Sequence, residues 1–463
     1  MGYDFDVAVL GGGSAGTSAA RASEDTGART VMINDGELGG LCILRGCMPT
    51  KAMLASAHVL HEANHPEAFG LRREGRVVAD FPAIMARKAA MVERFKAAKI
   101  ASIEAQDYEV IDGRARFVNP EEIEVSGRRI RARAYVIATG SIPTILPIPG
   151  LEECGYLTSD DVMRMEAPPK RLVVQGAGPI GLELAQFFAR IGSDVLLVNR
   201  SPLLSKCDDD AGAELTRSIE AEERFDLAVP GKILSLERRD DASIAFEIEA
   251  AASGRFVHYA DALLMAAGRQ PEIADLGLEA AGIDAGDFEI KHDEKLQTSN
   301  PRVFVAGDAT GCHQILHIAN QEGAVAGKNA AKTARSEGGA DERMDYRLKM
   351  TVIFSDPPFA TVGMNEVELK AAGRRFITGS ARFPETGRAI TMGTTHGVWK
   401  LFADPENGRI LGSSILGPRA DDLIHLVAQM MFYDGTFEDI AAMPWYHPTL
   451  SEVMLNLLRT LRS

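Results

Sequence analysis

Apolar residues along this chain gather in short unbroken runs separated by glycine turns and small-residue helical stretches. FDVAVLGGGSAGTSAARA reads as a buried strand from Val7 to Leu10, a glycine turn and a helix, and RTVMIN at residues 29–34 as a second strand. Strand, turn, helix and strand in that order open a βαβ unit. The same order returns in RLVVQGAGPIGLELAQFFARIGSDVLLVNR, residues 171–200. Between the two, SIPTILPIPG at residues 141–150 holds three prolines and ends in glycine, which predicts a linker. From about residue 344 the pattern shifts to short strands (MTVIF, GVWKLFAD, ILGSSIL) and amphipathic helices (LIHLVAQMMFYD, SEVMLNLLRTL), an α+β arrangement. The expected architecture is therefore α/β, with two Rossmann-like dinucleotide-binding domains and a C-terminal α+β domain. Residues 1–146 and 270–343 are assigned to the first, 147–269 to the second and 344–463 to the third.

Composition narrows the class of partner. A chain of 463 residues that is 46% hydrophobic and 25% charged, with 44 glycines, has the balance of a multidomain globular α/β protein. Its net charge of −15 repels phosphate backbones and anionic membrane surfaces, so neither nucleic acid nor membrane is an expected partner. No apolar run reaches the roughly 18 residues of a membrane span. The N-terminus enters a strand at once, without a basic and then apolar leader, and Asp6 stands where a myristoylation signal needs Ser or Thr. Five cysteines, an odd number, point to a reducing compartment, and a cytoplasmic location is expected.

Candidate chemistry begins with the glycines. Gly11-x-Gly13-x-x-Gly16, with Ser14 and Ala15 opening the helix, allows a tight turn and brings backbone N–H groups up to a pyrophosphate at a helix N-terminus. The ribose-contact position at the end of the second strand falls at Asn34-Asp35. Gly176-x-Gly178-x-x-Gly181, with Ile180 inside it, repeats the device, and its ribose position is Asn199-Arg200. An acid there would favour NAD, whereas the cation Arg200 leans toward the 2′-phosphate of NADP. Two such sites imply two cofactors.

Cys42 and Cys47 lie in a stretch that reads as a loop feeding a helix near Pro49. They could be a metal half-site, a structural staple or a working thiol pair. A zinc site would need further ligands at close spacing, whereas Cys154, Cys207 and Cys312 are scattered, so no metal site is expected. A disulfide is within reach if the chain curls back at Gly46, and a cysteine at a helix entrance has its thiolate stabilised by the helix dipole.

GGLCILRGCMPTK, residues 39–51, resembles the active-site segment of the two-cysteine flavoprotein disulfide reductases, the class that includes lipoamide dehydrogenase, glutathione reductase and mercuric reductase. The resemblance runs the full length and in order. Ala138-Thr139-Gly140-Ser141, Gly268-Arg269-x-Pro271, VFVAGDATG around Asp308 and His447-Pro448-Thr449-Leu450-Ser451-Glu452 each match a motif of that class. It implies FAD and NAD(P)(H) as cofactors and a homodimer built by the C-terminal domain. It implies that Cys47 is the thiol beside the flavin ring and Cys42 the outer thiol that exchanges with substrate. His447, oriented by Glu452, would act as acid/base on Cys42 across the subunit interface. Lys51 and Glu183 would meet at the flavin's N5 edge, and Gly40, Gly113, Ile315 and His317 would join the flavin contacts.

Within the class, ILHIANQEG (residues 315–323) and HPTLSE resemble lipoamide dehydrogenase most closely, and a small disulfide or dithiol, possibly on a lipoyl domain, is the implied substrate. Mercuric reductases share VIFSDPPFATVG and LLVNRS with this chain but carry a C-terminal cysteine pair where it reads NLLRTLRS, and tyrosine in place of His447. Thioredoxin reductases need a redox pair in the tail, and soluble transhydrogenases lack one active-site cysteine. A glutathione-contacting arginine aligns with Ala324. Ile43-Leu44-Arg45 between the cysteines and Trp445-Tyr446 before His447 depart from the lipoamide pattern. An NADPH-dependent reductase of a low-molecular-weight disulfide, and a redox-lapsed flavoprotein kept for partner binding, are the competing expectations.

Overall fold

The computed structural model describes residues 2–336 and 339–461. They divide into two compact units: Met1–Pro49, Ala86–Thr144 and Gly268–Asp345 form one, and Thr50–Met85, Ile145–Ala267 and Tyr346–Ser463 the other. No helix among the described residues is long and apolar enough to cross a membrane.

In the first unit β1 (Phe5–Leu10) pairs in parallel with β2 (Thr30–Asn34) on one side and with the Arg128–Ile137 strand on the other. Glu109–Asp112 continues the parallel sheet beyond β2, and Val303–Val305 continues it beyond Arg128–Ile137. Both faces of this sheet are buried, one against the Ser14–Glu24 and Leu316–Arg335 segments and the other against Phe117, Ile123 and Leu276, which is why its strands read as unbroken apolar runs rather than alternating ones. Helix α1 (Ser14–Glu24) links β1 to β2 and lies against the Leu316–Arg335 helix. The approach is close because the facing residues are small: a Cβ on Gly323 would fall 2.2 Å from the Ala15 carbonyl oxygen, and one on Gly327 would fall 2.3 Å from that of Ala19. Within the expected linker, Ser141–Pro143 forms a short strand antiparallel to Arg269–Pro271.

The second unit holds a four-stranded parallel sheet in the order Phe225–Ala228, Asp194–Val198, Arg171–Gln175, Ala262–Met265, with the Pro179–Ile191 helix as its first crossover. A three-stranded antiparallel sheet, built from Gly231–Arg238, Ile244–Ala250 and Gly254–Ala260, is inserted in sequence before its last strand. The C-terminal part is a five-stranded antiparallel sheet, from Met350–Ile353 to Ile377–Arg382, around a core that includes the fully buried Trp399. MTVIF, GVWKLFAD and ILGSSIL all supply strands of it, and LIHLVAQMMFYD lies in the Ala420–Phe432 helix up to Phe432, with Tyr433 as its C-cap.

Two expectations need correction. SEVMLNLLRTL is not one helix: a 3-10 turn at Leu450–Glu452 precedes a helix at Val453–Leu458, because Thr449 caps the turn with Glu452. The segment before Pro49 is more helical than a loop, with α2 (Gly40–Leu44) carrying Cys42 and α3 (Cys47–Asn64) starting at Cys47 itself.

Candidate active site

The two cysteines sit on two helices joined by a fold-back of two residues. Arg45 caps α2, its N–H bonded to Leu41 O at 3.0 Å, and Gly46 reverses the chain. A Cβ on Gly46 would lie 2.9 Å from Leu41 O and 3.3 Å from Cys42 Cα, so a bare backbone is what lets the head of α3 close on Cys42. Cys42 is half-buried and Cys47 exposed. Cys47 occupies the first turn of an 18-residue helix, where the helix dipole favours a thiolate. The other cysteines differ: burial pushes the thiols of Cys154 and Cys207 up. Among the described residues no cluster of His, Cys, Asp and Glu could hold a metal ion.

Lys51 lies one turn beyond Cys47 on α3, on the same face. In the second unit its Nζ donates to Glu183 Oε2 at 2.8 Å, and the Glu183 side chain is 3% exposed. A buried carboxylate needs more than one partner, and Glu183 Oε1 accepts the Phe354 N–H at 3.0 Å. Lys51 Nζ also stands 4.6 Å from the centroid of the Phe354 ring. Phe354 was not among the residues expected from sequence, although it lies within VIFSDPPFATVG.

Each glycine turn is built the same way. A Cβ on Gly16 would fall 1.8 Å from Gly11 O, and one on Gly181 would fall 1.9 Å from Gly176 O. Gly11 (φ +115°) and Gly176 (φ +112°) take left-handed backbone. Gly13 and Gly178 precede α1 and the Pro179–Ile191 helix without any side-chain cap, leaving first-turn N–H groups for an anion. Ala15 is buried, Ser14 and Ile180 half-buried. Asn34 and Asn199, both expected at the ribose, point inward onto the turns. Asn34 Oδ1 accepts the Gly12 N–H at 3.0 Å and Nδ2 donates to Gly36 O at 2.7 Å; Asn199 Oδ1 accepts the Ala177 N–H at 3.2 Å and Nδ2 donates to Ser201 O at 2.6 Å. Their neighbours Asp35 and Arg200 are exposed, Asp35 with Arg114 at 3.8 Å.

Around the first turn, a Cβ on Gly40 would lie 2.7 Å from Gly13 Cα, and the Gly113 N–H bonds Asn34 O at 2.9 Å. Ser141 Oγ donates to Asp308 Oδ2 at 2.5 Å and accepts from Arg269 Nε at 2.8 Å. Burial pushes the Asp308 carboxyl up, against the opposing pull of Ser141 and Arg269. Ile315 caps the Leu316–Arg335 helix and His317 lies in its first turn, both half-buried. Gly140 and Gly268 both take positive φ.

In the second unit, His447 Nδ1 lies 3.1 Å from each carboxylate oxygen of Glu452. The Thr449 N–H, bonded to Glu452 Oε2 at 2.9 Å, and the His447 contact hold that carboxyl below its usual range. The His447 side chain is 78% exposed, so the dyad stands ready on the surface of a single chain.

Comparison with known proteins decides the family. Residues 5–338 match the model of the pyridine nucleotide-disulphide oxidoreductases and residues 350–458 that of their dimerisation domain. The chain belongs to the pyridine nucleotide-disulphide oxidoreductase family. It is 32% identical to a dihydrolipoyl dehydrogenase of Thermus scotoductus over 462 residues, 99% of this chain and 97% of that one. It is also 32% identical to a mercuric reductase of Bacillus cereus over 440 residues, 95% of this chain and 68% of that one. Among solved structures it superposes with a TM-score of 0.84 and 25% identity on the Cu(II) complex of the HOCl-induced flavoprotein disulfide reductase RclA from Escherichia coli, over 99% of both chains.

As a pyridine nucleotide-disulphide oxidoreductase the chain is an oxidoreductase acting on sulfur, a flavoprotein using FAD and a pyridine nucleotide, and its dimerisation domain points to a homo-oligomer. The first unit fits FAD on its own evidence. Thr139 Oγ1 is buried without a hydrogen-bond partner, α1 has no side-chain cap, and the backbone of Gly13 leaves no room for a side chain at Gly40. These residues would hold the cofactor's polar groups, and Asp308 and Ser141 would join them. The second unit contains Lys51 with Glu183, the Gly176–Gly181 turn with Asn199 and Arg200, and, as a separate pair, the His447–Glu452 dyad.

Proposed function

We propose that this protein passes two electrons between a nicotinamide nucleotide and a disulfide or dithiol substrate through Cys42 and Cys47, in the manner of a dihydrolipoyl dehydrogenase. The observation that carries this reading is the fold-back at Gly46, which closes the head of α3 onto the backbone of Cys42 with Lys51 one turn further along. Bound FAD supplies a two-electron carrier between nicotinamide and thiols. In the reduced pair, the Cys42 thiolate attacks one sulfur of a substrate disulfide. The S–S bond breaks, a mixed disulfide forms, and the departing thiolate takes a proton from His447. The Cys47 thiolate then attacks Cys42 Sγ, the second product leaves as a thiolate that solvent protonates, and the Cys42–Cys47 disulfide re-forms, ready for two more electrons. A dithiol substrate runs these steps in reverse.

His447 suits the proton transfer because Glu452 engages Nδ1 and so fixes the tautomer, leaving Nε2 for the substrate. Its exposure in one chain, within the dimerisation segment, supports action on Cys42 of the second subunit. At the nicotinamide site, exposed Arg200 beside an inward-turned Asn199 supports NADP(H) over NAD(H). A lipoyl domain is the macromolecular form of substrate this reading admits.

Steady-state turnover with lipoamide, glutathione disulfide and Hg(II), each with both nicotinamides, tests the proposal. Lipoamide turnover is expected to lead. Anaerobic two-electron reduction should produce a long-wavelength thiolate–flavin absorbance band, and its absence from FAD-loaded protein would favour the redox-lapsed alternative.

A further inference from the structure

Three side chains on one face of the Pro179–Ile191 helix, Glu183, Gln186 and Arg190, grip the same short segment, residues 354–356. Glu183 Oε1 accepts the Phe354 N–H at 3.0 Å. Gln186 Oε1 accepts the Asp356 N–H at 2.8 Å while its Nε2 donates to Asp356 O at 2.9 Å, a two-point grip on the backbone. Arg190 Nη2 reaches Asp356 Oδ2 at 2.9 Å. Two residues of α3 complete the ladder from the opposite side: Lys51 Nζ lies 4.6 Å from the Phe354 ring centroid, and His58 Nδ1 lies 3.2 Å from Asp356 Oδ2. Every group named here belongs to the second unit.

A lysine ammonium on a four-carbon stem is not held in place by one carboxylate oxygen; it can pivot about that oxygen through many rotamers. Phe354 supplies the second constraint twice over. Its N–H fixes the carboxylate that Lys51 binds, and its ring gives the ammonium an attractive face.

We propose that Phe354 is a positioning residue for Lys51: it sets where the ammonium stands relative to the flavin, and the Gln186–Asp356–Arg190 grip holds Phe354 in place for that task. The inference rests on the reading that Lys51 faces bound flavin. A cation at a fixed point there favours the electron-rich reduced ring, so loosening it makes the flavin harder to reduce.

The test uses the FAD-loaded dimer and two readouts, the two-electron potential of the flavin by dye equilibration and its rate of reduction by NADPH or NADH in stopped flow. Phe354→Leu keeps an apolar side chain and removes the π face. It is expected to lower the potential and slow flavin reduction roughly 3- to 30-fold, the range of one cation–π contact. Phe354→Tyr, which keeps the ring, should restore both readouts. Gln186→Leu, which leaves the ring and frees its backbone, should shift both in the same direction as Phe354→Leu, and it stands in should that variant not fold. Lys51→Met separates this inference from the reading beneath it. A shift in Lys51→Met with none in Phe354→Leu, or equal shifts in Phe354→Leu and Phe354→Tyr, overturns the role of Phe354. No shift in Lys51→Met overturns the placement of Lys51 at the flavin.

Discussion

Replacing Arg190 by methionine is expected to destabilise the second unit by about 3 kcal/mol. The Arg190 side chain is 6% exposed, and its Nη2 and Nε reach Glu222 Oε1 and Oε2 at 2.8 and 3.2 Å, a two-point pair with a carboxylate only 8% exposed. Methionine preserves most of the apolar stem and deletes the guanidinium. Breaking a buried pair from one side costs about 3–5 kcal/mol because the remaining charge stays buried. Gln186 still donates to Glu222, which puts the expectation at the lower end. The effect also carries a pH signature through Asp356. Burial pushes that carboxyl up, but the His58 hydrogen bond and the Arg190 guanidinium outweigh it and hold it well below the usual range. A depressed carboxyl stabilises the fold above its unfolded pKa of about 3.9, and that contribution is lost as pH falls through the folded value. Removing Arg190 removes part of it, so the gap between wild type and variant should be wide near neutral pH and narrow in acid. Urea unfolding followed by tryptophan fluorescence measures this, because Trp399 is fully buried in the second unit with its indole N–H on Ser413 Oγ at 3.0 Å. With a slope of about 3 kcal/mol/M the midpoint should fall by on the order of 1 M. Arg190→Met with Glu222→Leu should recover much of the loss, since it removes the stranded Glu222 charge while Asp356 keeps His58 as its partner. A single variant within about 0.5 kcal/mol of wild type, or a double variant no better than the single, would refute the reasoning.

Three further outcomes are expected. His447→Gln should cut disulfide turnover by about 10²- to 10⁴-fold, the worth of a positioned acid/base, while stopped-flow flavin reduction by nicotinamide stays at the wild-type rate; a parallel loss in both half-reactions would place His447 elsewhere. Cys42→Ser should abolish turnover yet keep a thiolate–flavin absorbance band, and Cys47→Ser should lose both; the opposite pattern would exchange their roles. Gly16→Val should yield protein with little bound FAD, because even its Cβ would fall 1.8 Å from Gly11 O, well inside the ordinary contact distance of backbone atoms. Normal flavin absorbance per chain in that variant would remove the turn from the cofactor site.

Much of the candidate site was legible because its residues are close in sequence. The two glycine turns, the Cys42–Cys47 segment and the His447–Glu452 spacing each announce themselves within a few residues, and the structure gives the turns and the dyad recognisable geometry. Asn34 and Asn199 show the limit of such reading. Their positions at the ends of strands were correctly found, but a short amide reaches the N–H of the turn beside it, and nothing in the run of letters said that each would turn inward at Gly12 and Ala177. The helical state of Gly40–Leu44 was missed for another reason: five residues carry too little periodicity to distinguish a helical turn from a loop.

The sequence by itself determined the fold class, the two glycine turns and the close spacing of Cys42 and Cys47, because unbroken apolar runs, glycines that must lack a Cβ and closely spaced thiols are properties of neighbours along the chain. Only the tertiary structure decided what surrounds Lys51. Phe354 lies more than 300 residues from it in sequence, and Glu183, Gln186, Arg190 and Asp356 meet in the second unit only when α3, the Pro179–Ile191 helix and the segment after Met350–Ile353 pack together. Hydrogen bonds and cation–π contacts act over a few ångströms, so the partners of a buried charge are set by which elements the fold makes adjacent.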